Sequence, residues 1–317
     1  MMSINTPVAF LIFNRPDLTA VVFEAIRKAQ PKKLLVVADG PRSERMGEAE
    51  KCVATRAVIE TVDWDCEVLT NYSDTNLGCK QRISSGLDWV FSEVEEAIIL
   101  EDDCLPTSSF FQYCQALLEY YRYDERIMHI GGNNFQYDPF NGSYTYYFSK
   151  YNPVWGWASW SRAWKHYDVS MQAWEEFNRL NLINSICESS YERKYWTDIF
   201  NRVSQGLIDT WDYQWTFACW QQNGLSIIPK TNLISNIGFR LDATHTLDES
   251  PFANLATTDV GSIEHPLFLM KHQGTDTYIF DSVFNGKAMR AMDTLPGRIR
   301  KHAGMIKRSF ESLILSS

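Results

Sequence analysis

The sequence predicts an α/β fold, a mostly parallel sheet flanked by helices. Three observations carry this. Short aliphatic runs alternate with helix-patterned stretches through the first 130 residues, the order of strand–helix–strand units. The runs are continuously apolar, as in strands buried on both faces, rather than alternating as in a half-solvated sheet. Polar residues gather where the runs stop, at Asn14-Arg15, Asp39 and Glu101–Asp103. In open sheets ligands bind beyond the carboxyl ends of the strands, so function is expected there.

"PVAFLIF" (Pro7–Phe13) is the first strand. "NRPD" breaks it, and Asp17 is placed to cap a helix with Leu18, Val21, Val22, Ala25 and Ile26 on one face. "KLLVVADG" is the second strand, ending at Asp39-Gly40. A polar helix from about Glu44 to Glu60 and a third strand near "CEVLT" follow. In "NLGCKQRISSGLDWVF" Gly78 precedes another helix, and "AIIL" is the fourth strand. "SSFFQYCQALLEYYRYD" reads as a helix capped by Ser108, with a strand near "IMHIGG" after it.

From there the composition changes, because nine of the 11 Trp lie between Trp155 and Trp220. No repeat or low-complexity linker divides the halves. The expectation is one domain over residues 1–285, with a first half (1–130) and an aromatic-rich second half (131–285). Residues 286–317 form a basic tail carrying Lys287, Arg290, Arg298, Arg300, Lys301, Lys307 and Arg308. Ile299, Ile306, Phe310 and Leu313 recur there at helical spacing. Such a tail is either a closing helix packed on the domain or an amphipathic helix lying on an anionic membrane.

The net charge of −9 excludes a general nucleic-acid binder, which needs a basic footprint. The opening "MMSINTPVAFLIFNRP" has no basic leader region and only a short apolar run, a poor signal peptide. No stretch approaches the roughly 18–20 apolar residues of a membrane helix. Seven scattered cysteines without a C-x-x-C pair read as reduced thiols, not a disulfide frame or zinc site. The expected location is cytoplasmic, with the tail offering a peripheral contact at the inner face of the plasma membrane.

"EAIILEDDCLP" (Glu96–Pro106) runs an aliphatic strand straight into Glu101, Asp102 and Asp103. Adjacent carboxylates repel one another and burial raises the cost of their charge, so a positive group should lie close by. Carboxylates at the end of such a strand suit magnesium or manganese bridging a diphosphate, which takes only one or two protein carboxylates. The other reading is that the acids favour the positive end of the helix that follows.

"FNRP", "ADGPR", "NLGCKQR", "ILEDD", "WGWASW", "DTWDYQW" and "SNIGFRLDATHT" occur in that order between about Pro7 and Thr246. In this the chain resembles bacterial family-two-like nucleotide-sugar glycosyltransferases with the glycosyltransferase A fold, which act in surface polysaccharide synthesis. The triplet looks like an EDD variant of their DXD metal motif, similar to that of the N-acetylglucosaminyltransferase I group. The resemblance implies a uridine-linked nucleoside-diphosphate sugar as donor, a divalent metal (Mn or Mg) and a glycan or lipid-linked acceptor. It implies Asp103 as direct metal ligand, Asp102 as ligand or ribose contact, and Glu101 as a ribose contact or a residue behind the metal. Asp39 would hydrogen-bond the base, and Arg15, Lys80 or Arg82 would face ribose or diphosphate, with Asn14 in the same cofactor-binding group. Asp39 also reads as a turn residue in "ADGP", and Lys80 and Arg82 as ordinary exposed helix residues.

Displacement with inversion at a sugar's anomeric carbon needs a base for the acceptor hydroxyl. Asp212 in "DTWDYQW", opening a helix between Trp211 and Trp215, is placed for it, and partial burial between the indoles would raise its pKa. The resembled transferases carry their catalytic acid at a comparable place. Asp209 is its rival, and either could instead cap the helix. The resemblance also makes His245 an additional metal ligand, with Asp242 orienting its ring or touching the diphosphate. His129, His166, His265, His272 and His302 lack that context. Most Trp read as core, with Trp155, Trp157 and Trp211 assigned to the acceptor or donor-sugar pocket. The whole reads as a metal-dependent, inverting glycosyltransferase of hexosyltransferase type. One competitor is a sugar nucleotidyltransferase, which would want a glycine-rich loop that "IFNRPDLT" lacks. The other is an inactive carbohydrate-binding protein, against which the acids Asp102, Asp103 and Asp212 count.

Overall fold

A computed structural model of the chain describes residues 3–135, 143–239 and 251–294. The first half builds β1 (Val8–Ile12), α1 (Pro16–Ala29), β2 (Lys33–Ala38), α2 (Glu48–Ile59), β3 (Glu67–Tyr72), α3 (Gly78–Glu93) and β4 (Glu96–Glu101). β5 (Cys104–Pro106), α4 (Ser108–Tyr120) and β6 (Ile127–Gly131) lead into the second half. There the chain forms β7 (Tyr146–Ser149), β8 (Trp157–Trp160), α5 (Ser161–Trp164), α6 (Trp174–Arg179) and α7 (Ser190–Ser204). It continues with α8 (Asp212–Gln221), β9 (Leu225–Pro229), β10 (Ile234–Asn236), α9 (Gln273–Val283) and α10 (Gly286–Asp293).

The main sheet has the order β3-β2-β1-β4-β8-β6-β9-β7. The first four strands pair in parallel, as their apolar runs predict. Both faces are covered: Val8, Phe10 and Ile12 of β1 enter one core with α1 and α4, while Ala9 and Leu11 enter a second with α3 and the indoles. That is why β1, β2 and β4 show no polar alternation, while β3 at the sheet edge is partly exposed. The second half makes the sheet mixed, because β8 runs antiparallel between β4 and β6, and β7 antiparallel on β9. β5 and β10 form a separate antiparallel pair with Cys104 opposite Asn236, which fixes the end of β10 beside the acidic run.

Helix starts differ from expectation in instructive ways. α1 begins at Pro16, whose fixed φ and missing N–H suit the first helical position, so Asp17 lies in the first turn rather than at the cap. Its buried face is Leu18, Thr19, Val22, Phe23 and Ile26, and Val21 points outward. α2 starts at Glu48 because the preceding residues form turns. Thr107, not Ser108, occupies the cap position of α4, and the Ser108 hydroxyl bonds the Asp259 carboxylate at 3.2 Å instead.

The aromatic half is a core. Trp157, Trp160, Trp164, Trp174, Trp196, Trp211, Trp215 and Trp220 are each at most 4% exposed. Trp157 and Trp211, expected in a pocket, stack on each other at 5.9 Å, and Trp157 and Trp164 also pack on Trp215 at 5.6 and 5.2 Å. Truncating any of these rings would cost about 3–5 kcal/mol. No helix among the described residues is long and apolar enough to cross a membrane. α10, where the basic region begins, packs on α9 and α7, with Arg290 paired to Asp281. Residues 295–317, with the apolar stripe expected there, lie outside the described residues, as do Asp242 and His245.

Candidate functional site

The carboxyl ends of β1, β2 and β4 open onto a cleft of about 390 Å³. Phe13, Arg15, Asp39, Arg42, Glu101, Asp102 and Asp103 line it from the first half, and Trp155, Asp209 and Asn236 from the second. Arg15 is the positive group that the acidic run calls for. Its Nη1 donates to Asp103 Oδ2 at 3.1 Å, and its Nε and Nη2 face the Asp102 carboxylate. Burial works against the guanidinium charge, but Asp102 and Asp103 more than offset it and hold Arg15 protonated. Burial pushes the Asp102 carboxyl up and Arg15 pulls it down. Glu101 is pushed up by burial and by its two acidic neighbours, with a further contribution from Asp212.

Asp102 is 2% exposed and committed to Arg15, whereas the Asp103 side chain keeps 15% of its surface open. The backbone of Gly238 lies against Asp103 so closely that a Cβ there would come within 2.2 Å of Oδ2. The N–H of Ile237 donates to the Asp103 carbonyl at 2.8 Å, so the chain after β10 walls the acid in. No group of three or more His, Cys, Asp or Glu side chains among the described residues is set to hold a metal ion. Asp103 is the one partly open carboxylate of the acidic run, with Arg15 donating to its Oδ2 and the Cys104 thiol to its Oδ1 at 3.5 Å.

Asp39 lines the cleft and makes the loop contacts of a turn residue. Its Oδ1 accepts from the N–H groups of Gly40 and Leu77, each at 2.9 Å, and its Oδ2 from Asn76 Nδ2 at 3.0 Å and Gly78 N–H at 3.1 Å. With both oxygens filled, the carboxylate ties the loop before α3 to the end of β2. Burial raises its pKa, and those backbone donors oppose the rise. Gly40 permits the junction, since a Cβ there would meet the Thr75 backbone at 2.6 Å.

Arg82 does line the cleft, but it is 6% exposed and its donors are engaged. Nε reaches the Ala38 carbonyl at 3.1 Å and Nη2 the Asn71 side chain at 2.8 Å, stitching β2 to β3 rather than facing a diphosphate. Lys80 sits in the first turn of α3, outside the cleft lining. Asn14 donates to Glu48 at 2.8 Å and so braces α2. Sequence reasoning passes over Arg42, Glu48 and Phe13, although "ADGPR" places Arg42 at a strand end.

Asp212 is the first residue of α8 and is half-buried; the Thr210 hydroxyl donates to its Oδ1. Asp209, not Asp212, is among the cleft-lining residues. Burial, followed by the charges of Glu101, Asp212, Asp209 and Asp39, pushes the Cys79 thiol up to about 12.

Fold and cleft together define an α/β protein with a ligand crevice at the carboxyl ends of a mixed sheet, edged by paired acids and an arginine. No family profile matches the chain. No curated protein matches it either. Among solved structures it is similar to S. aureus TarS, with 12% identity over 52% of this chain and 30% of that one, TM-score 0.38. It is similar to mannosyltransferase PcManGT from Pyrobaculum calidifontis in complex with GDP-Man and Mn2+, at 14% identity over 57% and 47% of the two chains, TM-score 0.34. A UDP-glucose pyrophosphorylase complexed with UDP-glucose shares 10% identity over 51% and 79%, TM-score 0.30. The chain spans less than half the length of the first two. Likenesses this slight carry no argument about activity.

Proposed function

We propose that the chain is a metal-dependent glycosyltransferase of hexosyltransferase type. It moves a sugar, with inversion, from a UDP-type donor to a glycan or lipid-linked acceptor in surface polysaccharide synthesis. The observation that carries this reading is the Asp103 carboxylate, partly open to a strand-end cleft and paired, like the buried Asp102, with Arg15. Arg15, already paired with Asp102 and Asp103, turns its remaining N–H groups to the donor diphosphate, and Asp103 would hold the divalent cation. That cation, when bound, stabilises the charge of the departing diphosphate. Asp212, held by Thr210, takes the proton from the attacking acceptor hydroxyl. The indoles behind α8 exclude water from that side.

Calorimetry of UDP binding with and without Mn2+ tests the reading. Asp103→Asn should abolish the metal-dependent part of binding while circular dichroism stays unchanged; undiminished affinity would sink the assignment. Product analysis with a panel of nucleotide sugars separates the competitors. Release of UDP supports transfer, release of pyrophosphate marks a nucleotidyltransferase, and turnover of no donor marks a binding protein.

A further inference from the structure

In the resembled transferases an acid at the Asp39 position is expected to read the base, but here each oxygen of that acid already accepts two donors from its own chain. A carboxylate so filled has little capacity left for a ligand. On the nucleotide reading, base recognition is left to another group lining the cleft.

Arg42 is that group. It lines the cleft with Asp39 and Phe13, and its guanidinium carbon lies 5.6 Å from the centre of the Phe13 ring. Glu48, only 5% exposed, clamps one edge of it. The Glu48 carboxylate accepts from Arg42 Nε at 3.0 Å, from Nη2 at 2.5 Å and from the backbone N–H of Arg42 at 2.7 Å. Asn14 Nδ2 supports the same carboxylate at 2.8 Å. The Nε–Nη2 edge is thus pinned, and Nη1 makes no hydrogen bond among the described residues. A buried carboxylate gripping one edge of a guanidinium bidentately limits its rotation and leaves the other edge free to donate.

Arginine can only donate, so it meets a ring carbonyl favourably and an exocyclic amine unfavourably. Resting on the nucleotide reading above, we infer that Arg42 is the base-reading residue of this site. It reads the substituent at pyrimidine C4 or purine C6, and so selects bases with a carbonyl there (uracil or guanine) over those with an amine (cytosine or adenine). Glu48 and Asn14 are its positioning residues, and Phe13 forms the wall beside the base.

Calorimetry with UDP, GDP, CDP and ADP in the presence of Mn2+ tests this. The wild type should bind UDP or GDP about tenfold or more tighter than CDP and ADP, and the UDP and GDP arms identify which carbonyl base is taken. Arg42→Met should remove that preference by weakening the favoured nucleotide while leaving CDP and ADP within about twofold. Glu48→Gln, which loosens the clamp and keeps its shape, should erode the preference in the same direction. Asp39→Asn should lower the melting temperature and leave the preference intact, as expected of a loop tie. A preference that survives in Arg42→Met overturns the inference, as does an equal loss for all four nucleotides or a preference that moves with Asp39 instead. If the wild type binds none of the four, the nucleotide reading itself has failed.

Discussion

Arg15 meets an electrostatic demand that Glu101, Asp102 and Asp103 create. Asp212 is the proposed base, and Asp212→Asn should keep UDP affinity near wild type while lowering turnover by about 10²–10⁴. Turnover within a few-fold of wild type would transfer the role to Asp209, which lines the cleft. Retained configuration in the product would count against direct displacement altogether. His129 shows the opposite use of a titratable group. Its Nε2–H donates to the Pro153 carbonyl at 3.0 Å, its Nδ1 accepts from Trp215 Nε1–H at 3.2 Å, and its ring stacks on Trp157. Burial pushes its pKa from 6.5 down to about 3, with the Pro153 bond opposing. Within that window the unfolded chain binds a proton that the folded chain refuses, so stability rises with pH and is lost on acidification. Urea unfolding from about pH 7 to about pH 4.5 should therefore show a smaller loss in His129→Asn than in wild type. Equal losses would mean that the ring is protonated in the fold.

At the scale of elements, the site depends on two loops meeting without side chains between them. Gly40, just past β2, touches the Thr75 backbone, and Asp39 closes the contact through Leu77 and Gly78. Gly40→Ala would push the loops apart at a cost of about 1–3 kcal/mol. It should weaken UDP binding at least several-fold while the sheet remains, as calorimetry and circular dichroism would report; unchanged affinity would detach the loop from the site. β1, β2 and β4 were legible in the sequence because a continuous aliphatic run followed by a polar break has few other uses. β8 was not: "WASW" alternates indoles with small residues, and its partners β4 and β6 lie far away in the chain. The acidic run was legible for the same reason as β4. The occupation of Asp39 was not, because its partners at Asn76–Gly78 come from another strand's loop.

For the whole molecule, the sheet divides two cores, one mostly aliphatic around α1 and α4, the other built from indoles around α3, α7 and α8. That division has an optical consequence. Of the 11 Trp, Trp155 is the one among the described residues that lines the cleft, and Trp64 and Trp89 are half-buried elsewhere. Intrinsic fluorescence should therefore separate two events. Unfolding exposes the packed indoles to water and shifts the whole emission band, whereas a nucleotide entering the cleft perturbs a single emitter out of eleven. Titrating UDP and Mn2+ should quench only a small fraction of the signal, and Trp155→Phe should abolish that change while leaving the denaturation shift as it was. A ligand-induced change that persists in the variant would mean that the ligand sits beside a different indole.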